Sequence, residues 1–284
     1  MDKILQNIAK GAIFEAETED RSVYLRIEKY VPFICTAIHH GHNFREELKD
    51  KILLNGQERW YEEDPNTGDC IASMPVVLRC NDSRYEYDVN RSPDECIYKV
   101  AWGKKVWKEK LTAAERRKTL SKYDGFYRIL HALVSHLENR FNACLVFDVH
   151  SYNYKRHARF LPVFNIGTAR IDSNRFGKYI ELWRKELLKI ELPDIENVVA
   201  LDDIFNGEGY MATYIAGNFK NTLVFPTEIK KVYCDENTGV IFPMVIRAIG
   251  ENLKNAILNT ANYFTETETV LKGSFNGQPA DTSS

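Results

Sequence analysis

Two short apolar runs that lead into histidines constrain the fold of this chain more than any other feature. Residues 31–38 read VPFICTAI and run directly into His39, and residues 144–151 read CLVFDVHS and contain His150. Both runs are short, apolar and partly β-branched, which is typical of buried strands. Ligands in open α/β sheets collect at the carboxyl ends of strands. Two such strands can therefore direct their imidazoles towards one metal ion.

Strands and helices alternate along the rest of the chain. Predicted helices cover 43–54, 112–140, 173–189 and 243–264, and further predicted strands cover 74–79, 161–165 and 222–227. In the second half of 112–140 the apolar residues recur every three or four positions, and Thr112 begins a capping-box pattern. This alternation predicts an α/β domain whose sheet has helices on both faces. We expect one domain over residues 1–270 and a disordered, polar tail over 271–284.

The overall composition narrows the class of protein. The 284 residues include 38 basic and 40 acidic side chains, so no charge excess favours nucleic acid or an anionic membrane surface. No apolar stretch approaches the roughly 20 residues that span a bilayer, and we expect no signal peptide. The six cysteines are dispersed without a CxxC pair, which is typical of reduced thiols. We therefore expect a cytoplasmic protein that binds a small molecule, with no nucleic-acid or membrane partner.

The histidines indicate a metal site, but the third ligand has two alternatives. Catalytic zinc takes three protein ligands and leaves a position for water, whose pKa the ion lowers towards neutrality. His39 and His150 are the first two candidates. His42 lies three residues after His39, and a tight turn can bring both to one ion. The acidic residues 62–64 precede a proline in a loop, where a carboxylate can also face a cation. Against both stands the ordinary reading, in which strand histidines are core residues and acidic loops are solvated.

Seven short segments form an ordered pattern across most of the chain. They read AIHHGH at 37–42, EEDPNT at 62–67, SRYEYDVNR at 83–91, AWG at 101–103, FDVHS at 147–151, NIGT at 165–168 and TEIK at 227–230. Together they resemble the N-formylglutamate amidohydrolase family. The resemblance implies a zinc-exopeptidase-like fold, similar to the zinc carboxypeptidases and aspartoacylase, in which a mixed, mostly parallel sheet of about eight strands forms a single three-layer α/β domain. It also implies a hydrolase of amide bonds that uses Zn²⁺ or another divalent transition metal.

The resemblance also implies a ligand set. It makes His39 and His150 metal ligands and places a carboxylate between them, which by position is Asp64, with Glu63 as its rival. The sequence departs from the related carboxypeptidases at His42, which stands where those enzymes have a glutamate ligand. A three-histidine site with His42 in place of the carboxylate therefore remains an alternative.

Further residues of the matching segments have expected roles. Glu228 follows an apolar strand, and the resemblance makes it the base that accepts a proton from water and the acid that protonates the leaving amine. Asn90 and Arg91 resemble a clamp for a substrate carboxylate, because a guanidinium forms two parallel hydrogen bonds to such a group. Asp148 lies two residues before His150, on the same strand face, and can either orient that imidazole or cap a turn.

These roles have structural alternatives. Glu228 can be a surface carboxylate after a strand. Arg91 can form an ion pair with Asp88 or Asp94 instead of binding substrate. The basic cluster at 155–159 can attract an anionic substrate, or it can be a solvated loop.

Three hypotheses for the function follow. The leading one is a zinc-dependent amidohydrolase acting on a small N-acylated acidic amino acid, such as an N-formylated one. A carboxypeptidase-like hydrolase that removes the last residue of a peptide would use the same chemistry. A non-catalytic metal-binding or regulatory protein with the same fold is the third, because Ile38 stands where the family usually has proline.

Overall fold

A computed structural model describes the backbone of residues 1–275 and the side chains of residues 1–268. The helices of this part of the chain are α1 Asp2–Ala9, α2 Gly56–Glu62, α3 Thr67–Cys70, α4 Ala113–Phe141, α5 Ser173–Leu188, α6 Tyr210–Asn218 and α7 Pro243–Phe275. The strands are β1 Phe14–Glu17, β2 Val23–Ile27, β3 Phe33–Ala37, β4 Val76–Cys80, β5 Val100–Ala101, β6 Lys104–Lys105, β7 Cys144–Tyr152, β8 Phe164–Ile166, β9 Val199–Leu201 and β10 Thr222–Lys230.

Eight of these strands form one mixed sheet in the order β1-β2-β4-β3-β7-β10-β8-β9. Four of its pairings are parallel and three are antiparallel. The central strands β3, β7 and β10 are adjacent and parallel, so their carboxyl ends meet at the same edge of the sheet. Every residue of β3 and β7 is buried, because helices cover both faces. The predicted three-layer α/β architecture is therefore confirmed.

The apolar core is divided between the two faces of the sheet. One cluster includes side chains of α1, α4 and α6, and the other includes side chains of α5 and α7. Helix α4 begins as its sequence predicts: the Thr112 hydroxyl accepts from the backbone N–H of Glu115 at 3.2 Å, and the Glu115 carboxylate accepts from the N–H of Thr112 at 2.7 Å. Such a cap contributes about 1 kcal/mol. The apolar stripe of α4 faces the sheet and fixes one layer against it.

The predicted helix over 43–54 is wrong. Only Glu46–Leu48 forms a short 3₁₀ turn. The backbone of Asn43 pairs instead with a distant loop: its N–H donates to the carbonyl of Asn81 at 3.0 Å, and its carbonyl accepts from the N–H of Ser83 at 2.7 Å. These long-range hydrogen bonds replace the local bonds of a helix and hold the histidine cluster against the loop that carries residues 83–91.

The other predicted elements occur with shifted ends. Helix α5 matches its prediction, α7 runs on to Phe275, and β10 continues three residues beyond the predicted 222–227. Of the predicted tail over 271–284, residues 276–284 lie outside the described residues. Strands β1 and β2 were not predicted; they form an antiparallel pair at one edge of the sheet. Among residues 1–275, no helix combines the length and apolarity needed to cross a bilayer.

Candidate metal centre

Three buried side chains converge near the carboxyl ends of the central strands. His39 follows β3, His150 lies within β7, and Asp64 follows α2. The Nδ1 atoms of the two histidines are 3.1 Å apart, and Asp64 Oδ2 lies 3.3 Å from Nδ1 of His39 and 3.2 Å from Nδ1 of His150. Ligands held at about 2.0–2.1 Å from a tetrahedral ion are about 3.3 Å from one another. The three atoms therefore have the spacing that a zinc-sized cation requires.

The outer nitrogen of each imidazole is bound to a carboxylate. His150 Nε2 lies 2.7 Å from Asp148 Oδ2, and His39 Nε2 lies 2.7 Å from Asp88 Oδ1. The second oxygen of Asp148 accepts from the hydroxyl of Thr36, again at 2.7 Å. When Nε2 carries the hydrogen that each carboxylate accepts, each Nδ1 presents a lone pair to the centre. Two nitrogen lone pairs and a carboxylate oxygen then face one another. Such a set of electron-pair donors can bind a cation.

The charge around the centre also favours a positive group. Burial alone would lower the pKa of His150, but Asp148, Asp64 and Glu228 together raise it well above its usual value. Burial alone would raise the pKa of Asp64, but hydrogen bonds from His150 and His39 hold it well below its usual range. The carboxylate of Asp64 is therefore ionised and available as a ligand.

Asp88 is the residue of this centre that sequence reasoning missed. Besides His39, its Oδ1 accepts from the backbone N–H of Asn90 at 2.7 Å, and its Oδ2 accepts from Arg84 Nε at 3.1 Å and Nη2 at 2.7 Å and from the hydroxyl of Tyr98. Burial opposes ionisation, but Arg84 and His39 hold the pKa of Asp88 well below its usual value. Its place two residues before Asn90, within a matching segment, was the available signal.

The rival ligands lie apart from the centre. His42 Nδ1 forms a close hydrogen bond with Glu63 Oε2, and the other oxygen of Glu63 accepts from the hydroxyl of Ser83. The side chain of His42 is 46% exposed, whereas that of Glu63 is buried. The structure thus brings His39, Asp64 and His150 together and pairs His42 with Glu63 instead.

A buried lysine holds the segment that carries Asp64. Lys231 Nζ donates to the backbone carbonyls of Tyr61 and Glu63, at 2.7 Å in both cases. Burial lowers the pKa of Lys231. The N–H of Asp64 donates to the carbonyl of His39 at 2.9 Å. These three hydrogen bonds fix the backbone that leads into Asp64 and set its carboxylate against the histidines.

Glu228 lies beside the candidate ligands. It is the register partner of His150 on the adjacent parallel strand, and it lines the same cavity. Burial raises its pKa to about 8; His150 opposes the rise and Asp64 adds to it. A carboxyl group with a pKa near neutrality can both accept and donate a proton at physiological pH.

The cavity at the centre has a volume of about 650 Å³, within the usual range for small-molecule sites. Asn90, Arg91 and the glycine-rich segment 206–209 line it. The Asn90 side-chain oxygen accepts from the N–H of Met211 at 3.2 Å. Gly209 packs so closely that a Cβ on it would lie 2.3 Å from this oxygen. Asn90 is therefore held in one position, with its neighbour Arg91 exposed at the cavity wall.

The alternative ion pairs of Arg91 do not form. Asp88 is bound to Arg84 and His39, and within residues 1–268 the guanidinium of Arg91 makes no ion pair or hydrogen bond with another side chain. In the basic cluster at 155–159, Arg156 and His157 line the cavity, and the whole segment is exposed.

Comparison with known proteins identifies the family. The sequence profile of the N-formylglutamate amidohydrolase family matches residues 31–231. This range contains His39, Asp64, His150 and Glu228 of the candidate centre. The chain belongs to this family. No curated protein sequence matches the chain significantly. Membership of this family supports an amidohydrolase activity.

Solved structures share the family fold. The N-formylglutamate amidohydrolase from Ralstonia eutropha JMP134 superposes with a TM-score of 0.73 at 18% identity, covering 87% of this chain and 99% of that one. The gene product Atu2144 from Agrobacterium tumefaciens gives a TM-score of 0.65 at 15% identity, covering 86% and 98%. A metallo-carboxypeptidase from Burkholderia cenocepacia gives 0.43 at 14% identity, covering 92% and 68%. The first two establish the N-formylglutamate amidohydrolase fold for this chain.

Proposed function

We propose that this member of the N-formylglutamate amidohydrolase family is a metal-dependent hydrolase that cleaves the amide bond of an N-acylated amino acid. One observation carries the proposal: two histidine nitrogens and one carboxylate oxygen converge at the spacing of metal ligands, in a cavity that Glu228 also lines. An N-formylated or otherwise N-acylated acidic amino acid is the substrate that the family name suggests.

His39, Asp64 and His150 would hold the ion. A divalent transition metal such as Zn²⁺ would supply Lewis-acid polarisation of the amide carbonyl and a lower pKa for water. With an ion bound, Asp88 and Asp148 would accept from Nε2 of the two imidazoles, so that each Nδ1 would face the ion. The carboxylates of Asp88 and Asp148 orient the rings of His39 and His150 before a metal or a substrate binds.

Glu228 transfers the proton in this proposal. Its pKa of about 8 suits a group that takes a proton from the attacking water and returns it to the leaving amine. Arg91 binds the substrate carboxylate, since its guanidinium is not engaged by any described side chain, and the amide of Asn90 adds a further hydrogen bond. Binding at Arg91 orients the amide towards the proton carrier.

Elemental analysis and turnover assays test the proposal together. The protein is purified without chelator as wild type and as the variants His39→Ala, His150→Ala and Glu228→Gln. We expect about one divalent ion per chain in wild type and in Glu228→Gln, and loss of the ion in both histidine variants. His157→Ala is the matched control, because His157 is an exposed histidine that lines the same cavity outside the cluster; it should keep the ion.

The assays use N-formyl and N-acetyl amino acids and short peptides with a free carboxyl terminus. Turnover of the acylated amino acids in wild type, lost in Glu228→Gln, is the expected result. Turnover of peptides alone would replace the proposal with the carboxypeptidase-like alternative. A bound ion without any turnover would favour a non-catalytic metal-binding protein, and a protein that stays metal-free after zinc is supplied would overturn metal dependence.

A further inference from the structure

Three guanidinium groups line the cavity, and two of them are already engaged. Arg84 donates two hydrogen bonds to Asp88, and its guanidinium carbon lies 4.9 Å from the centre of the Trp102 ring. Arg156 is bound to Glu62. Arg91 is the one guanidinium of the cavity, among the residues described, that makes no ion pair. The cavity therefore offers one available cation for a substrate carboxylate.

The ion pair of Arg156 has the geometry that a second substrate carboxylate would need. Its Nη1 donates to Glu62 Oε1 at 3.1 Å, and its Nη2 donates to Glu62 Oε2 at 2.7 Å. Both parallel hydrogen bonds of the guanidinium are thus occupied by a carboxylate of the protein. The Glu62 side chain is only 12% exposed and that of Arg156 is 37% exposed. A ligand that displaced Glu62 would leave a largely buried carboxylate without its partner.

The remaining lining adds apolar surface and one exposed carboxylate, Glu208. Arg91 is the one guanidinium of the described lining without an ion pair, so a second negative charge on a ligand would find no unpaired guanidinium. Val100, Trp102 and Phe205 also line it, and their exposed fractions of 59%, 42% and 46% leave apolar surface open to a ligand. An apolar group of a substrate would cover this surface.

We propose that the Glu62–Arg156 ion pair determines substrate specificity: it occupies the second guanidinium of the cavity, so that the site accepts an N-acyl amino acid with a single carboxylate and a neutral side chain. This inference rests on the proposed function and narrows it. It moves the substrate class away from the acidic amino acids that the family name suggests and towards neutral, apolar ones.

Two isosteric substrates test the inference directly. N-formylglutamate and N-formylglutamine differ only in a side-chain carboxylate or amide, so the ratio of their kcat/KM values reports the cost of the second charge. We expect wild type to prefer the glutamine compound. Glu62→Gln frees Arg156 for a substrate carboxylate and should raise the glutamate-to-glutamine ratio by about tenfold or more, the scale of a charge-assisted bidentate contact. Adding Arg156→Gln to Glu62→Gln should reverse that gain.

A surface pair provides the control. Glu181→Gln breaks an ion pair of comparable chemistry, at 3.2 Å from Arg184 on α5, away from the cavity, and should leave the ratio unchanged. Thermal unfolding of each variant establishes that it is folded. A wild type that prefers the glutamate compound, or a Glu62→Gln variant with the wild-type ratio, would overturn this inference alone. If the protein hydrolyses neither compound and no other N-acyl amino acid, the proposed function is overturned, and this inference with it.

Discussion

Glu228 and His150 occupy paired positions on two adjacent parallel strands, β10 and β7. Paired residues on neighbouring strands point to the same side of a sheet, so the backbone register itself sets the carboxylate beside the imidazole. Asp148 lies two residues before His150 and therefore points to the same side. The positions of the proposed proton carrier, of one candidate ligand and of the carboxylate bound to that ligand thus depend on strand pairing rather than on a loop.

Glu228→Gln removes proton transfer without changing the shape of the site. We expect kcat to fall by about 10²–10⁴-fold, with KM and metal content unchanged, because a positioned general base contributes on this scale. Steady-state kinetics on an N-acyl amino acid and elemental analysis measure both quantities. Glu208→Gln, at an exposed carboxylate that lines the same cavity, should keep wild-type kcat. Equal losses in the two variants would refute a specific role for Glu228.

Asp88→Asn weakens the hydrogen bond that orients His39. We expect metal affinity to fall by about 10–100-fold, the usual effect of losing a carboxylate that supports a ligand histidine. Competition with a chromogenic chelator measures the dissociation constant. Asp94→Asn alters an exposed aspartate on the same loop and should leave the affinity unchanged. An Asp88→Asn protein that is folded and binds metal as tightly as wild type would contradict the assignment.

Gly209→Ala places a methyl group against Asn90. The new Cβ would lie 2.3 Å from the Asn90 side-chain oxygen, so the amide must move. We expect KM to rise while metal content stays the same, since the ligands lie on other elements. Gly217→Ala on the same helix is the control: its Cβ meets nothing within 4 Å, and the change should stabilise the helix by up to about 1 kcal/mol. An unchanged KM in Gly209→Ala would argue against substrate binding at Asn90.

Removal of the metal should lower stability as well as activity. A ligand present at 100 times its dissociation constant stabilises the folded state by about 2.7 kcal/mol. We therefore expect zinc to raise the unfolding temperature of the chelator-treated wild type in a concentration-dependent way. The variant His150→Ala lacks one candidate ligand and should show little or no shift. A shift of the same size in both proteins would locate the zinc effect elsewhere on the chain.

Lys231→Met leaves the carbonyl of Glu63 without a donor, whereas the carbonyl of Tyr61 still accepts from Asn153 Nδ2 at 2.6 Å. A buried group that loses its partner costs about 1–3 kcal/mol, so we expect a loss of about 1–3 kcal/mol in the free energy of unfolding. Denaturant titration measures it. Lys230→Met is the neighbouring control: Lys230 Nζ makes one long hydrogen bond, 3.4 Å from the carbonyl of Leu161, and otherwise lies over the rings of Tyr154 and Phe160, so its removal should cost less. Similar costs for the two variants would contradict this role of Lys231.

Sequence reasoning identified the parts of the centre that depend on strand position. His39 and His150 end or interrupt apolar runs, and parallel central strands bring such residues to one edge. Asp64 required the family resemblance, because its position depends on a loop held by Lys231, which follows β10 far along the chain. Asp88 was missed for the same reason: its contact with His39 joins residues 49 positions apart and leaves no local pattern.

The fold was predictable where local and long-range preferences agree. The capping box and apolar stripe of α4 both favour a helix, and the helix forms. Over 43–54 the local pattern favoured a helix, but the chain there is tied to the loop after β4. The backbone of Gly41 lies very close to that loop, because a Cβ on Gly41 would be 2.1 Å from the backbone carbonyl carbon of Asn81. Nothing in the local sequence encodes that contact.

The single oxygen that Asp88 shares between His39 and the N–H of Asn90 has a thermodynamic consequence. It connects His39 of the candidate cation site to Asn90, the proposed partner of a substrate carboxylate, so one buried group links the two proposed sites. Linkage is reciprocal: if the ion tightens substrate binding by some factor, the substrate must tighten ion binding by the same factor. A substrate-saturated protein would then release its ion to a chelator less readily than the free protein, and Asp88→Asn would abolish that difference.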